Sequence, residues 1–501
     1  MRWALLYCFL LITTCGAVSN GPSILLKIED DHGHPVSARV RILNRQGEPV
    51  PVHSLDSQRL VPAHPNFPEL GSIVSKQARL ALPEGRSTLV IQRGPEYRER
   101  RVTVDAHPGE DIERTVALER WIDMAAKGWW SGDLHVHRDP RDLPSLMDAS
   151  DLHFAPAITE WNDDVKPASW PSEEAVSEAD QRVYSVDNSE DERHWGAALF
   201  IGVKSPMHLY ARNAEYPPPS VTWGEARAQG GYIDLEKLIW WEAPVMAALL
   251  PPDSIGVAVN HFREDGISTR ASMARPRDEN RYPGEQGFAR YILDLYCYYL
   301  SAGFRIPASA GSANGVAKNA LGYNRSYVYL GKTFSYEAWL AGQKAGRNFV
   351  TNGPMLFVRV NGRRPGSVLD GDTRQARVDI EALSTAELDR CEVVVDGNVA
   401  RSIQPGGSPS HLRIATTVAV EPGSWLAVRC FEKNPVTIRL AHTSPVYFGD
   451  TARRSAESLG YLRKWVAAEM DRVREVPEQK LNSQQREEFL ALCRKALRFY
   501  E

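Results

Sequence analysis

Cysteine is scarce in this chain, six in 501 residues with none in a close Cys-x-x-Cys pair, so chemistry carried by paired cysteines is not expected. Charge of one sign is absent too. With 59 basic and 63 acidic residues the formal net charge is -4. No basic stripe is interleaved with aromatics, so a nucleic-acid partner is not expected. Past the N-terminus no apolar run is long enough to span a bilayer, which argues against a transmembrane helix. A Gly-x-Ser-x-Gly elbow, a Walker phosphate loop and a dinucleotide fingerprint are all missing. Their absence argues against a serine hydrolase, an NTPase and a Rossmann enzyme. No internal repeat occurs. A small-molecule or glycan-like substrate is the class left.

Met1-Arg2, the apolar run Trp3 to Ile12 and the small-residue segment Thr13 to Ser19 have the layout of a secretory signal. Cleavage after Ser19 and export to a periplasmic or extracellular space are expected. Lipidation at Cys15 is the weaker alternative, because Thr14 is bulkier than such sites usually take. Removal of residues 1–19 leaves Cys297, Cys391, Cys430 and Cys493. Cys391 and Cys430 fall in strand-like runs of one region, where either a disulfide or two separate buried thiols is expected.

The length calls for three or four domains. Residues 20–120 alternate short β-type runs (Ile24 to Ile28, Ala38 to Ile42, Ser87 to Ile91, Arg101 to Val104) with turn residues such as Asp31-His32-Gly33. They read as a small β-sandwich and loosely resemble the transthyretin-like modules of exported enzymes. Over residues 121–354 strand-like runs are interspersed with helical stretches such as Glu285 to Ala302, which argues for an α/β barrel. Ser335 is placed to cap a helix from Tyr336 that Gly346 ends. Residues 355–447 return to strand-like alternation and read as a second β-sandwich. In residues 448–501, Leu459, Leu462, Val466 and Val473 line one helix face and Phe489, Cys493, Leu497 and Tyr500 another, so a C-terminal helical hairpin is expected.

The chemistry centres on Gly132-Asp133-Leu134-His135-Val136-His137. On a strand, alternate side chains share a face, so Asp133, His135 and His137 project together and the two imidazoles can converge on one cation. Buried strands also use histidines for packing, so the motif gains weight only from its company. That company is Thr159-Glu160-Trp161, the acids Glu190-Asp191-Glu192 with His194, Asn260-His261-Phe262, and Ala310-Gly311-Ser312-Ala313-Asn314. Each falls where a barrel strand delivers side chains to one rim, the pattern by which catalytic metal sites gather ligands from several strands.

In this order the motifs resemble those of the polymerase and histidinol phosphatase (PHP) superfamily of metallohydrolases. The closing Ala345-Gly346-Arg347-Asn348-Phe349-Val350-Thr351-Asn352-Gly353-Pro354 looks like that of its exported CehA/McbA-type branch. The match runs from roughly Gly128 to Gly366. The resemblance implies a distorted (β/α)7 barrel, here flanked by two β-sandwiches, that uses divalent metal (zinc foremost, manganese or iron otherwise) to hydrolyse phosphoesters or carbamate and carboxylic esters. It implies two or three ions, of which one or two are expected here, with His135, His137, Glu160, Glu192, His194, His261 and Asn314 as candidate ligands. This sequence departs from the pattern at Trp161, Phe262 and Asn314, where the family usually has His, Pro and Asp. An amide oxygen is a weaker ligand than a carboxylate, so a weakened subsite is expected near Asn314.

Hydrolysis then assigns Asp133 to orienting an imidazole and Glu160 to ligation or general base. Arg263 and Arg325 are candidate anchors for an anionic substrate, with structural salt bridges as their competing use. Two other functions stay open. One is a carbohydrate- or surface-binding protein on a catalytically retired barrel; the other makes the N-terminal sandwich a mere tether. The bland use of Trp240-Trp241 is core packing.

Overall fold

The computed structural model describes residues 21–57, 59–162, 176–179, 181–193, 196–209, 212–269 and 274–501. The expected signal segment, with Cys8 and Cys15, lies outside them, as does His194.

In the N-terminal region Ser23–Asp30 pairs with Gln77–Ala81 and Asp111–Leu118 in a three-stranded sheet. A six-stranded sheet is built around Ala38–Leu43 and Gly85–Gln92. Alternation decides what faces inward: Ala38, Val40 and Ile42 are buried while Arg39 and Arg41 turn the other way. The two sheets enclose one core, with Ile24, Leu26 and Ile28 in the same cluster as Val40, Leu89 and Ile91.

The middle of the chain is mixed α/β and belongs to a 16-stranded sheet. From one end the order is Ala308–Ala310, Ser254–Ala258, Tyr232–Leu235, Ala197–Ile201, Arg182–Glu192, Phe154–Trp161 and Trp129–Gly132. Neighbours are parallel except around Ala197–Ile201, which runs antiparallel to both its partners. The ends of this run come together. Past Gly132 the chain stays extended: Leu134 N donates to Ala310 O at 3.1 Å and His137 N to Asn314 O at 2.8 Å, while Val136 O accepts from Ile158 N at 2.8 Å. The helices Pro219–Ala228, Ala243–Leu249 and Gly284–Ser301 pack Trp223, Met246 and Tyr296 into the large core beside the sheet.

From Trp129–Gly132 the same sheet continues the other way. It runs antiparallel through Arg325–Tyr329, Asn348–Thr351, Leu440–Thr443, Trp425–Glu432, Leu388–Val395 and Asn398–Ile403. A separate three-stranded sheet, Met355–Val360, Gln375–Leu383 and His411–Ala419, shares a core with its far part, where Val358 and Ile380 join Val393 and Val428. At residue 354, where the sequence suggests a boundary, the hydrogen-bond ladder is unbroken, because Asn348–Thr351 pairs directly with Leu440–Thr443.

Local signals in the sequence act as expected at several ends. Ser335 accepts from Ala338 N to cap the helix Tyr336–Lys344, and Gly346 follows it at φ +67°. The helices Ala456–Glu475 and Ser483–Phe499 form the C-terminal pair, the second opened by a capping box of Asn482 and Gln485. Leu462, Val466, Val473, Phe489, Cys493 and Tyr500 are buried in the large core, with Leu459 and Leu497 half-buried beside them. The four cysteines of the described residues are free and buried. Cys391 and Cys430 face each other across paired strands as thiols. Among the described residues no helix is long and apolar enough to cross a membrane.

Candidate metal centre

The strand proper stops at Gly132, one residue before the motif's acid, so the histidines sit on an extended segment past the strand end. Asp133 holds this segment in place and does not reach an imidazole. Its Oδ1 accepts from His135 N (3.1 Å) and Ser312 N (2.9 Å), and its Oδ2 accepts from Gly322 N (2.8 Å). The glycines of the last motif allow a close approach. A Cβ on Gly311 would stand 2.5 Å from His135 Cβ, and one on Gly315, at φ +109°, would stand 1.9 Å from His137 O. The Gly311-to-Gly315 stretch is therefore the seat of the two histidines.

Seated this way, the imidazoles meet. His135 Nε2 and His137 Nε2 are 2.9 Å apart, and Glu190 Oε2 lies 3.2 Å from the first and 2.8 Å from the second. This buried group, with its donor atoms facing one another, could hold a metal ion. Glu190 comes from the end of Arg182–Glu192. Glu236, just past Tyr232–Leu235, places Oε1 3.5 Å from His135 Nδ1, and neither oxygen of this buried carboxylate has a hydrogen-bond partner. Lys237 reaches between two carboxylates, with Nζ 3.1 Å from Glu190 Oε1 and 2.6 Å from Glu192 Oε1.

The field is strongly cation-seeking. Burial opposes charge on His135, yet Glu190 and Glu236 outweigh it and lift its pKa to about 10. Burial holds His137 below the ordinary histidine value, against the pull of Glu190. For Glu190 burial works against ionisation, but Lys237 and His135 prevail and keep its carboxyl well below the usual range. Burial brings His261 down to about 4, so its ring is neutral. Its Nδ1 lies 2.7 Å from Ser268 O, which places the proton on Nδ1 and leaves Nε2 as an acceptor.

A cavity of ≈ 170 Å³ opens beside the group, lined among others by His135, His137, Glu192, Lys237, His261 and Arg263. Trp161, at the position where the resemblance expects a histidine, sets its ring 4.8 Å from that of His137 and also borders the cavity, as does Trp240.

Of the residues expected from sequence, His135 and His137 converge, and Glu192, His261 and Arg263 line the same cavity. Glu160 does not join them. Its oxygens accept from Ser189 Oγ (3.0 Å), Met207 N (2.7 Å) and Leu209 N (2.8 Å), so it fixes a loop and stands apart from the two histidines. Asn314 is likewise committed: its Nδ2 donates to Ala63 O (3.0 Å) and Asn319 O (2.6 Å), and its Oδ1 accepts from Arg138 (3.3 Å). Arg325 is a buried brace that donates to Gly322 O and Ser150 O, away from the site. The sequence reading missed Glu236 and Lys237, whose signal was a charged pair straight after the short run Tyr232–Leu235, and it chose Glu192 where Glu190 is the residue that meets the histidines.

Comparison with protein-family models, with curated proteins and with solved structures finds no match to this chain.

Proposed function

We propose that this protein is an exported metal-dependent hydrolase of ester or phosphoester bonds, built on a closed seven-stranded barrel of the PHP type. The observation that carries the reading is the convergence of His135 Nε2, His137 Nε2 and Glu190 Oε2 within 3.2 Å of one another. The hydrogen bonds of Leu134 and His137 to Ala310 and Asn314 support the closed barrel. The N-terminal pattern Met1 to Ser19 supports export.

Two imidazole nitrogens and a carboxylate are a donor set that suits zinc, with manganese or iron as alternatives. A bound divalent ion supplies Lewis acidity and lowers the pKa of water toward neutrality. The chain's own groups do the rest. Glu236 orients the His135 ring from its Nδ1 side, as a carboxylate behind a metal-binding histidine usually does. Neutral His261 offers Nε2 as a proton acceptor at the cavity wall. Arg263, on the same wall, is placed to meet an anionic group of the substrate.

One observation favours a second reading, a binding protein on a retired barrel: the Lys237 ammonium is itself a positive partner for Glu190, 3.1 Å from Oε1. Elemental analysis of the purified protein and of the His135→Ala/His137→Ala double variant separates the two. Zinc, manganese or iron at one equivalent or more, lost in the variant, supports the hydrolase and justifies an ester and phosphoester screen. No metal in either protein after reconstitution sinks it in favour of the binding role.

A further inference from the structure

The Glu190 carboxylate has two faces. Its Oε2 meets the two histidines, while its Oε1 meets the Lys237 ammonium, which Glu192 holds from the other side. In two-metal hydrolases the ions stand about 4 Å apart, a spacing that one bridging carboxylate spans. Here the buried Lys237 ammonium stands on the second face. We propose that the site takes a single divalent cation and that Lys237 is its permanent second positive centre, paired with the ion through Glu190. This rests on the metal-dependent reading and fixes the composition of that same site.

Charge points the same way. Among the described residues, Glu190, Glu192 and Glu236 are the carboxylates in direct contact with the histidines and Lys237. With both histidines neutral as ligands, one divalent ion balances these three glutamates and Lys237, whereas a second ion would add two positive charges beside a cavity wall that already carries Arg263. Geometry closes the second position as well. Any ion using Glu190 Oε1 and Glu192 Oε1 would have to stand where Nζ now stands, 3.1 and 2.6 Å from those atoms. Substrate chemistry follows from the pair. A metal on one side of Glu190 and an ammonium on the other, both bordering the cavity of His261 and Arg263, form a two-point receptor for the oxygens of an anionic phosphoryl or carboxylate group.

The test is metal stoichiometry of the full chain after loading with excess Mn(II) and removal of free ion, for wild type and Lys237→Gln. One equivalent in wild type and two in Lys237→Gln, where Glu190 Oε1 and Glu192 Oε1 lose their ammonium, is the expected result. Two equivalents in wild type would overturn the proposal while leaving the metal-dependent reading intact. One equivalent in both proteins would overturn it too, since Lys237 would not be what closes the second position. No metal in wild type ends the reading beneath it. Electron paramagnetic resonance of the Mn(II)-loaded wild type needs no variant to fold: an isolated-ion spectrum agrees with the proposal, and an exchange-coupled pair refutes it.

Discussion

Glu236 shows how far a single side chain can matter without touching an ion. It is buried, neither oxygen takes a hydrogen bond, and its Oε1 forms an ion pair with His135 Nδ1 at 3.5 Å, so its role is to set the charge on that ring. Replacing it by Gln keeps the shape and removes the charge that holds the imidazole. Loss of such an outer partner typically costs about 10–100-fold in metal affinity. Competition with a chelator should read a loss of that size in Glu236→Gln, with thermal unfolding little changed. Other histidines carry the pH dependence. Burial brings His153 and His442 to about 4, below the ordinary 6.5. The unfolded chain therefore binds more protons than the folded one between those values. Stability is full above pH 6.5 and falls as pH drops toward 4, on the order of 3 kcal/mol for each ring. Urea midpoints at pH 7 and pH 4.5 should show the fall, and His442→Asn should show a smaller one. At this scale the sequence was half legible. The period of a strand puts Glu190 and Glu192 on one face and turns Asp191 to Arg193, 2.5 Å away. It does not say which of the two glutamates meets a histidine two strands away.

Among elements, the Gly311-to-Gly315 seat is the one whose sequence signal was real and whose meaning was misread. Gly-Ser followed by Asn suggested a ligand, whereas the glycines make room for the backbone of His135 and His137. In Gly311→Ala the new methyl would stand 2.5 Å from His135 Cβ, too close for that segment to stay in place. Titration with zinc should find binding weakened at least tenfold while circular dichroism keeps the same mixed α/β spectrum. Helix ends were easier to read. Ser335 and Gly346 act through contacts within a few residues, so the sequence contains their whole cause. Glu160 was not readable for the opposite reason. Its partners Met207 and Leu209 lie more than forty positions away, on a loop with no pattern to announce it.

On the scale of the whole molecule, the N-terminal region is part of the site's foundation. Arg138, next to His137, donates to Pro62 O and Ala63 O, and Asn314 donates to Ala63 O. His64 Nε2 accepts from Gly315 N at 3.2 Å, and Arg39 forms a two-point ion pair with Glu264, three residues beyond His261. A tether would not be wired to both histidine segments. Deleting residues 21–120 should therefore lower metal affinity as well as solubility, whereas a true tether would leave the affinity of the remaining chain unchanged. Equilibrium dialysis of the shortened protein gives the answer. The sandwich-like alternation of this region was visible in the sequence; its docking was not, because docking depends on which loop carbonyls face which distant donor.

The continuous sheet across residue 354 has a consequence for anyone dividing the gene. A fragment ending there would present Asn348–Thr351 as an open edge, with the row of N–H and C=O groups that now pair with Leu440–Thr443 left bare. Such an edge recruits a second copy of itself or any other extended chain. The segment that looks separable on paper is thus the one most prone to aggregate when cut, and the C-terminal strands serve as its built-in guard.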